Sequence, residues 1–124
     1  THGTLADALK NAAEMIIGPQ EHFLAIGMGA TDDLTTLRGE IEAATRAVEK
    51  NGALILVDLM GGSPAKASSH LAFAGTPVIC GVNLPMLLEV LVQREDVTLQ
   101  ELTAIAMQAA KEGVINLTWQ LTGK

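Results

Sequence analysis

One histidine, one aspartate and a glycine turn are the residues of this sequence that could do chemistry. His2 lies between Thr1 and Gly3, just before a predicted helix. Imidazole titrates near neutrality, and one of its nitrogens can attack phosphorus while a carboxylate holds the other. Asp58 is the natural carboxylate, because it ends the most apolar predicted strand, where a charge needs a partner. On position alone, His2 is better interpreted as a chain-end residue without function.

The turn at residues 61–64, Gly-Gly-Ser-Pro, could bind an anion. Gly61 and Gly62 allow the backbone to approach a ligand closely. Ser63 as cap and Pro64 at the first helical position predict a helix start, whose free N–H groups and positive dipole end suit a phosphoryl group. The turn has neither a Walker nor a Rossmann spacing. Alone, it is equally consistent with a plain strand-to-helix connection.

The elements that must position these residues alternate between helix and strand patterns. Helix starts are predicted at Thr4 (a capping box with Asp7), at Asp32 or Asp33, at Ser63, at Asn83 and at Thr98 (a capping box with Glu101). Strands are predicted over residues 22–28, 53–57, 77–82 and 114–121. The order predicts an α/β fold, a three-layer sandwich around a mostly parallel, doubly wound sheet, in one domain over residues 1–124. In such sheets ligands bind beyond the carboxyl ends of the strands.

The start of the chain departs from this pattern. A doubly wound domain normally opens with a strand, whereas the first predicted helix here begins at residue 4. We therefore expect that an N-terminal strand is absent from the sequence, although the sheet could be completed in another way.

Composition restricts the class of protein. The chain has 124 residues, 48% of them hydrophobic, and only two Phe and one Trp, so we expect one domain with an aliphatic core. The net charge is −6 and the eight basic residues are scattered, which argues against nucleic-acid or anionic-membrane binding. No apolar run approaches the roughly 20 residues of a membrane span. The single cysteine, Cys80, is typical of a reducing compartment. We expect a soluble, cytoplasmic protein.

The remaining histidines give no reason to expect a metal. His22 and His70 do not have metal-ligand spacing with His2, and Cys80 lies in a predicted buried strand. We therefore predict neither a metal nor a cofactor.

Three segments together resemble the mannose-type enzyme IIA component of the bacterial phosphoenolpyruvate-dependent sugar phosphotransferase system. They are Thr-His-Gly before a Leu-Ala helix, Val-Asp-Leu-Met-Gly-Gly-Ser-Pro at residues 57–64, and Gly-Val-Asn-Leu-Pro-Met-Leu-Leu-Glu at residues 81–89. All three occur in the family's order. The second and third are jointly quite specific, and the likeness extends over nearly the whole chain.

The resemblance implies that His2 is phosphorylated and that Asp58 orients it, with Gly61, Gly62 and Ser63 binding the phosphoryl oxygens. It implies that the histidine-containing phosphocarrier protein is the donor and that the enzyme IIB component is the acceptor. It also implies a homodimer in which the last strand, about residues 114–121, is exchanged and antiparallel. An apolar rim around the site, formed by Leu59, Met60 and Leu84, is expected to contact these partners and exclude water.

Three alternatives remain open. The domain could be a regulatory module whose phosphorylation controls a partner, a dihydroxyacetone-kinase phosphotransfer subunit, or a structural module without activity. Retention of both His2 and Asp58 disfavours the last.

Overall fold

The computed structural model describes residues 1–48 and 50–124. These residues form six helices and two short strands, and two of the four predicted strands are absent from them. In chain order they are α1 (Leu5–Ile17), α2 (Leu34–Val48), β1 (Ile55–Val57), α3 (Ser63–Phe73), β2 (Val78–Cys80), α4 (Leu84–Gln93), α5 (Leu99–Glu112) and α6 (Leu117–Thr122).

The two strands form a parallel sheet with helices on both faces. β1 pairs with β2, with Ile55 opposite Val78 and Val57 opposite Cys80. Leu56 packs with Ile79 against α4 and α5, whereas its neighbour Ile55 packs against α2 and α3. Because successive strand residues point to opposite faces, a continuous aliphatic run belongs between two helical layers. The predicted strands at residues 53–57 and 77–82 are thus confirmed in shorter form.

Side-chain caps fix the later helices where the sequence predicts them. Asn83 accepts a hydrogen bond from the Met86 amide at 3.0 Å. Thr98 accepts one from the Glu101 amide at 3.2 Å, and its hydroxyl lies 3.0 Å from the Glu101 carboxylate. Asp33 accepts one from the Thr36 amide at 2.6 Å, ahead of α2. Each bond satisfies an amide that the helix itself leaves free.

The first and third helices begin differently from the prediction. Thr4 occupies the cap position of α1, but its side chain makes no cap hydrogen bond, so the expected capping box with Asp7 does not form. In α3 the cap residue is Gly62, not Ser63, which is the first residue of the helix.

The predicted strand at residues 22–28 is mostly irregular, and a deep apolar cleft lies beside it. Only its carboxyl end pairs, through a parallel bridge between Met28 and His2. The cleft has a volume of about 690 Å³, and aliphatic residues of this segment, β1, α2 and α4 line it. A strand forms only where a neighbouring strand pairs with its backbone, and residues 22–25 line the cleft instead.

The predicted last strand at residues 114–121 is wrong, because this segment contains helix α6. Asn116 caps the helix by accepting from the Trp119 amide at 3.0 Å, and Gly123 ends it at φ 75°. Apolar residues alternate here, which suits a paired strand, but a strand without a partner leaves its backbone groups unsatisfied. The local caps therefore decide the conformation, and Leu117 and Leu121 stay exposed.

Across residues 1–48 and 50–124, none of the helices has the length and apolar character required to cross a membrane.

Candidate functional site

Residues 1–3 are held beside residues 26–28 at the carboxyl edge of the sheet. The Thr1 nitrogen donates to the Ile26 carbonyl at 2.9 Å, the Met28 amide donates to the Thr1 carbonyl at 2.8 Å, and the Gly3 amide donates to the Met28 carbonyl at 2.8 Å. This is the pattern of a parallel ladder. His2 is therefore an ordered residue, fixed on both sides along the chain.

Asp58 binds His2 twice. It follows β1 directly, and its Oδ2 accepts from the His2 backbone amide at 2.9 Å and lies 2.9 Å from His2 Nδ1. The Asp58 side chain is 13% exposed and that of His2 is 43% exposed. An ionised carboxylate only accepts, so His2 Nδ1 must carry the proton, which leaves Nε2 unprotonated in the neutral ring.

The electrostatics keep Asp58 ionised. Burial raises the pKa of this carboxyl, but the hydrogen bonds from the His2 amide and imidazole outweigh it and hold the pKa below its ordinary value. Its other oxygen, Oδ1, is buried and has no hydrogen-bond partner among the described residues. Both hydrogen bonds that Asp58 accepts from His2 are thus made by Oδ2.

Gly62 provides the surface on which the imidazole lies. A Cβ added at this position would overlap His2 Cε1 and lie 2.9 Å from Nε2 and 3.6 Å from Nδ1. Gly62 is also the cap residue of α3, and its carbonyl accepts from the Lys66 amide at 3.1 Å. The free nitrogen of His2 therefore lies at the N-terminus of a helix, where exposed amides and the helix dipole favour an anion.

The other predicted site residues surround this contact to different degrees. Gly61 is exposed with open space around its Cα, and Ser63 is half-buried as the first residue of α3. Leu59 and Met60, in the loop between Asp58 and the turn, are 60% and 81% exposed. Leu84 is half-buried as the first residue of α4.

Sequence reasoning missed two contributors. Gly27 lets residues 26–28 approach closely, since a Cβ there would overlap the carbonyl oxygen of Gly3. Thr1 contributes its hydroxyl, which accepts from the Ala6 amide of α1 at 2.8 Å. A glycine inside a predicted strand is a known signal of close backbone approach and could have identified the first. No pattern in the sequence points to the second.

The remaining candidates lie away from the site. The His22 carbonyl accepts from Arg94 at 3.2 Å, and His70 lies 2.7 Å from Glu42 between α3 and α2. Cys80 is exposed at the end of β2, contrary to the predicted buried position. Asn83 serves the fold, since its amide nitrogen also donates to the Ala110 carbonyl at 3.0 Å. Groups of three or more metal-binding side chains are absent from the part of the chain that the structure describes.

Comparison with known proteins agrees with this geometry. The sequence profile of the EIIA-man family, described as "PTS system fructose IIA component", matches residues 1–107. The chain is 38% identical over 118 residues to the "PTS system mannose-specific EIIAB component" of Escherichia coli K12, which covers 92% of this chain and 36% of that protein. The chain thus spans about a third of the length of that relative.

A relative of similar length is the "PTS system sorbose-specific EIIA component" of Lacticaseibacillus casei. It is 32% identical over 123 residues, covering 98% of this chain and 89% of that protein. Among solved structures, phosphotransferase system component EIIA from Streptococcus agalactiae superposes with a TM-score of 0.86 and 26% identity, over 94% of this chain and 92% of that chain. The chain belongs to the EIIA-man family, the mannose, sorbose and fructose type IIA components of the phosphotransferase system.

Proposed function

We propose that this domain, residues 1–124, carries a phosphoryl group on Nε2 of His2 during sugar uptake. The observation that supports this most directly is that the two edges of the imidazole contact different groups. Nδ1 lies 2.9 Å from Asp58 Oδ2, and the opposite edge of the ring lies against Gly62 at the N-terminus of α3. A nucleophile, an orienting carboxylate and an anion-binding helix end are the parts that phosphoryl transfer between histidines requires.

Phosphorylation of His2 needs only its imidazole, Asp58 and the phosphorylated ring of the donor. The lone pair of Nε2 forms a bond to phosphorus, and the bond between phosphorus and the donor's ring nitrogen breaks, returning its electron pair to that nitrogen. The His2 ring becomes positively charged, and its Nδ1 proton remains in the hydrogen bond to Asp58. An ionised Asp58 stabilises that charge. In the onward step a nucleophile of the acceptor forms a bond to phosphorus, and the bond between Nε2 and phosphorus breaks and returns its electron pair to Nε2, which restores the neutral ring.

The phosphoryl oxygens are bound by Gly61, Gly62 and Ser63 in this proposal. The first amides of α3 have no partners within the helix, and Pro64 contributes no N–H, so the backbone of the turn and of Ser63 provides the donors. The Ser63 hydroxyl adds one more. The helix dipole and these donors together stabilise the negative charge of a phosphoryl group bound to His2.

The donor is proposed to be the histidine-containing phosphocarrier protein, and the acceptor an enzyme IIB component. The name of the Escherichia coli relative, an EIIAB component, supports the second assignment. Leu59 and Met60 are exposed apolar residues next to Asp58, and they form with Leu84 the rim that the partners cover in the cytoplasm. Exclusion of water there protects the phosphohistidine during transfer.

Labelling by a purified phosphoenolpyruvate-driven donor chain tests the assignment. We expect about one acid-labile phosphoryl group per chain, its loss in His2→Ala, and its retention in His22→Asn. His22 is a matched control because it is exposed and has a positive φ of 51°, which asparagine tolerates. Label that persists in His2→Ala would refute the assignment.

We also propose that the cleft beside residues 22–26 holds a strand that leads into Thr1. Ile55 and Val57 pair with the β2 side, so the backbone groups of Leu54 and Leu56 point toward the cleft. The ladder from Thr1 to Ile26 and Met28 starts along the same path. Adding an aliphatic five-residue segment before Thr1 should protect the amides of residues 23–26 from hydrogen exchange. Unchanged exchange would contradict the proposal.

A homodimer is proposed to cover the apolar C-terminal segment. Val114 and Leu121 are 80% and 76% exposed, and exposed apolar residues in a group mark an interface. Light scattering should give the mass of two chains for the full protein and of one chain after truncation at Gly113. A full-length monomer at micromolar concentration would exclude this dimer.

A further inference from the structure

The hydroxyl of Thr1 caps helix α1 from five residues upstream. Its Oγ1 accepts from the Ala6 amide at 2.8 Å, while Thr4, at the cap position, makes no side-chain cap bond. Free amides in the first turn of a helix are normally satisfied by the cap residue itself. Here the helix is instead tied to the residue that precedes His2.

The peptide group between Thr1 and His2 is held from opposite directions. Its carbonyl accepts from the Met28 amide at 2.8 Å, and its N–H donates to Asp58 Oδ2 at 2.9 Å. A rotation of this peptide would break both bonds and would move the imidazole off Asp58. The orientation of the nucleophile therefore depends on how firmly Thr1 is anchored.

The residues that follow His2 are held less firmly by backbone hydrogen bonds. Gly3 has a φ of 55°, a conformation that glycine adopts without steric cost, and the Leu5 amide reaches the His2 carbonyl only at 3.4 Å. The bond from Ala6 to Thr1 closes this turn. It joins the start of α1 to the ladder with residues 26–28, with His2 enclosed between them.

We propose that Thr1 is a positioning residue for phosphoryl transfer, acting through its hydroxyl. Oγ1 fixes residues 1–6 as one unit, so that His2 Nδ1 stays on Asp58 and Nε2 stays on the α3 side of the ring. The inference rests on the proposed function for its catalytic consequence, but the effect on the imidazole is independent of any phosphoryl donor.

Three variants of the full chain test this role. Thr1→Val removes the hydroxyl at nearly constant shape, Thr1→Ser retains it, and Thr4→Val removes a hydroxyl that makes no cap bond. Two quantities are measured in each: the initial rate of His2 phosphorylation and the ¹⁵N chemical shifts of the His2 ring, which report the tautomer. Chemical denaturation checks that each variant is folded under the assay conditions.

We expect Thr1→Val to lower the phosphorylation rate about tenfold, because a displacement of the nucleophile smaller than the 1 Å that can cost about 100-fold still slows attack. Its ring shifts should move toward a mixture of tautomers. Thr1→Ser and Thr4→Val should match the parent chain in both measurements.

Two results would overturn the positioning role. One is a Thr1→Val variant with the parent's rate and ring shifts, and the other is an equal loss in Thr1→Val and Thr4→Val. If the parent chain accepts no phosphoryl group, the proposed function fails, whereas the ring shifts still decide the role of Thr1.

Discussion

The contact between Gly62 and His2 leads to the sharpest prediction. In Gly62→Ala the new methyl group would overlap His2 Cε1 and lie 2.9 Å from Nε2. Comfortable contacts between such atoms are about 3.5–4.0 Å, so the ring must move by on the order of 1 Å. The Gly62 backbone itself tolerates alanine, since its φ of −96° and ψ of 173° are ordinary extended values. The strain therefore falls on the imidazole.

The ring cannot relieve this overlap by moving toward Asp58, because Nδ1 already lies 2.9 Å from Oδ2. It must swing outward, which lengthens that hydrogen bond and withdraws Nε2 from the start of α3. A displacement of about 1 Å at a reacting atom can cost about 100-fold in rate. Loss of a partly exposed hydrogen bond lowers the free energy of unfolding by only about 1 kcal/mol.

Gly62→Ala should therefore lower the rate of phosphorylation by about 10- to 100-fold. Its free energy of unfolding should fall by only about 1 kcal/mol. Gly39→Ala is the control, because nothing lies within 4 Å of its added Cβ and Gly39 belongs to α2, outside the proposed phosphoryl-binding turn. If the two variants were equally active, the imidazole would not rest on Gly62 in solution, and the reasoning from this contact would be refuted.

Further variants test the carboxylate, the backbone approach and the caps. Asp58→Asn should lower the rate of phosphorylation at least tenfold, since a neutral amide cannot stabilise the charged ring. Because folding lowers the pKa of Asp58, this carboxylate contributes its full stabilisation above about pH 4, and the contribution is lost as the pH falls through the lowered pKa. Asp58→Asn should therefore flatten this part of the plot of unfolding free energy against pH. An unchanged slope would contradict the assigned pKa shift. Gly27→Ala should destabilise the fold by about 2 kcal/mol or more, because its methyl group would overlap the Gly3 carbonyl. Gly39→Ala has open space in α2 and should stabilise the fold by about 0.5–1 kcal/mol. Equal denaturation midpoints for the two variants would contradict this difference. Thr98→Ala should cost about 1 kcal/mol in urea denaturation through its lost bond to the Glu101 amide, and a cost near zero would show that the cap is dispensable.

Elements fixed by their own neighbours along the chain are the ones that sequence reasoning predicted. Asn83 and Thr98 each cap the helix that follows, and the aliphatic run through β1 lies between two helical layers. These features depend on contacts within a few residues or on the apolar pattern alone. Their physical causes can be identified in the sequence without knowledge of the rest of the fold.

Elements that depend on a distant partner were predicted less well. Residues 114–121 carry an alternating pattern that suits a paired strand, but the caps at Asn116 and Gly123 give a helix when no strand lies alongside. The same reasoning applies to residues 22–28, which become strand-like only where Met28 meets His2. Alternating apolar residues indicate which face a strand would bury, but the strand forms only when its backbone pairs with an adjacent strand.

The site itself divides in the same way. Asp58 could be predicted because a charge that ends an apolar strand needs a partner, and that partner is His2. The slot that holds residues 2 and 3 was predicted only in part. Its walls are two glycines 35 positions apart: Gly62 at the His2 ring, which the sequence placed in the anion-binding turn, and Gly27 at the Gly3 carbonyl, which it did not identify. Each is needed for the room that a missing Cβ provides, and neither has a side chain to interpret. The accuracy of the nucleophile's position thus comes from backbone contact, and the sequence identified the chemical groups that orient His2 more readily than the close backbone approaches that hold it in place.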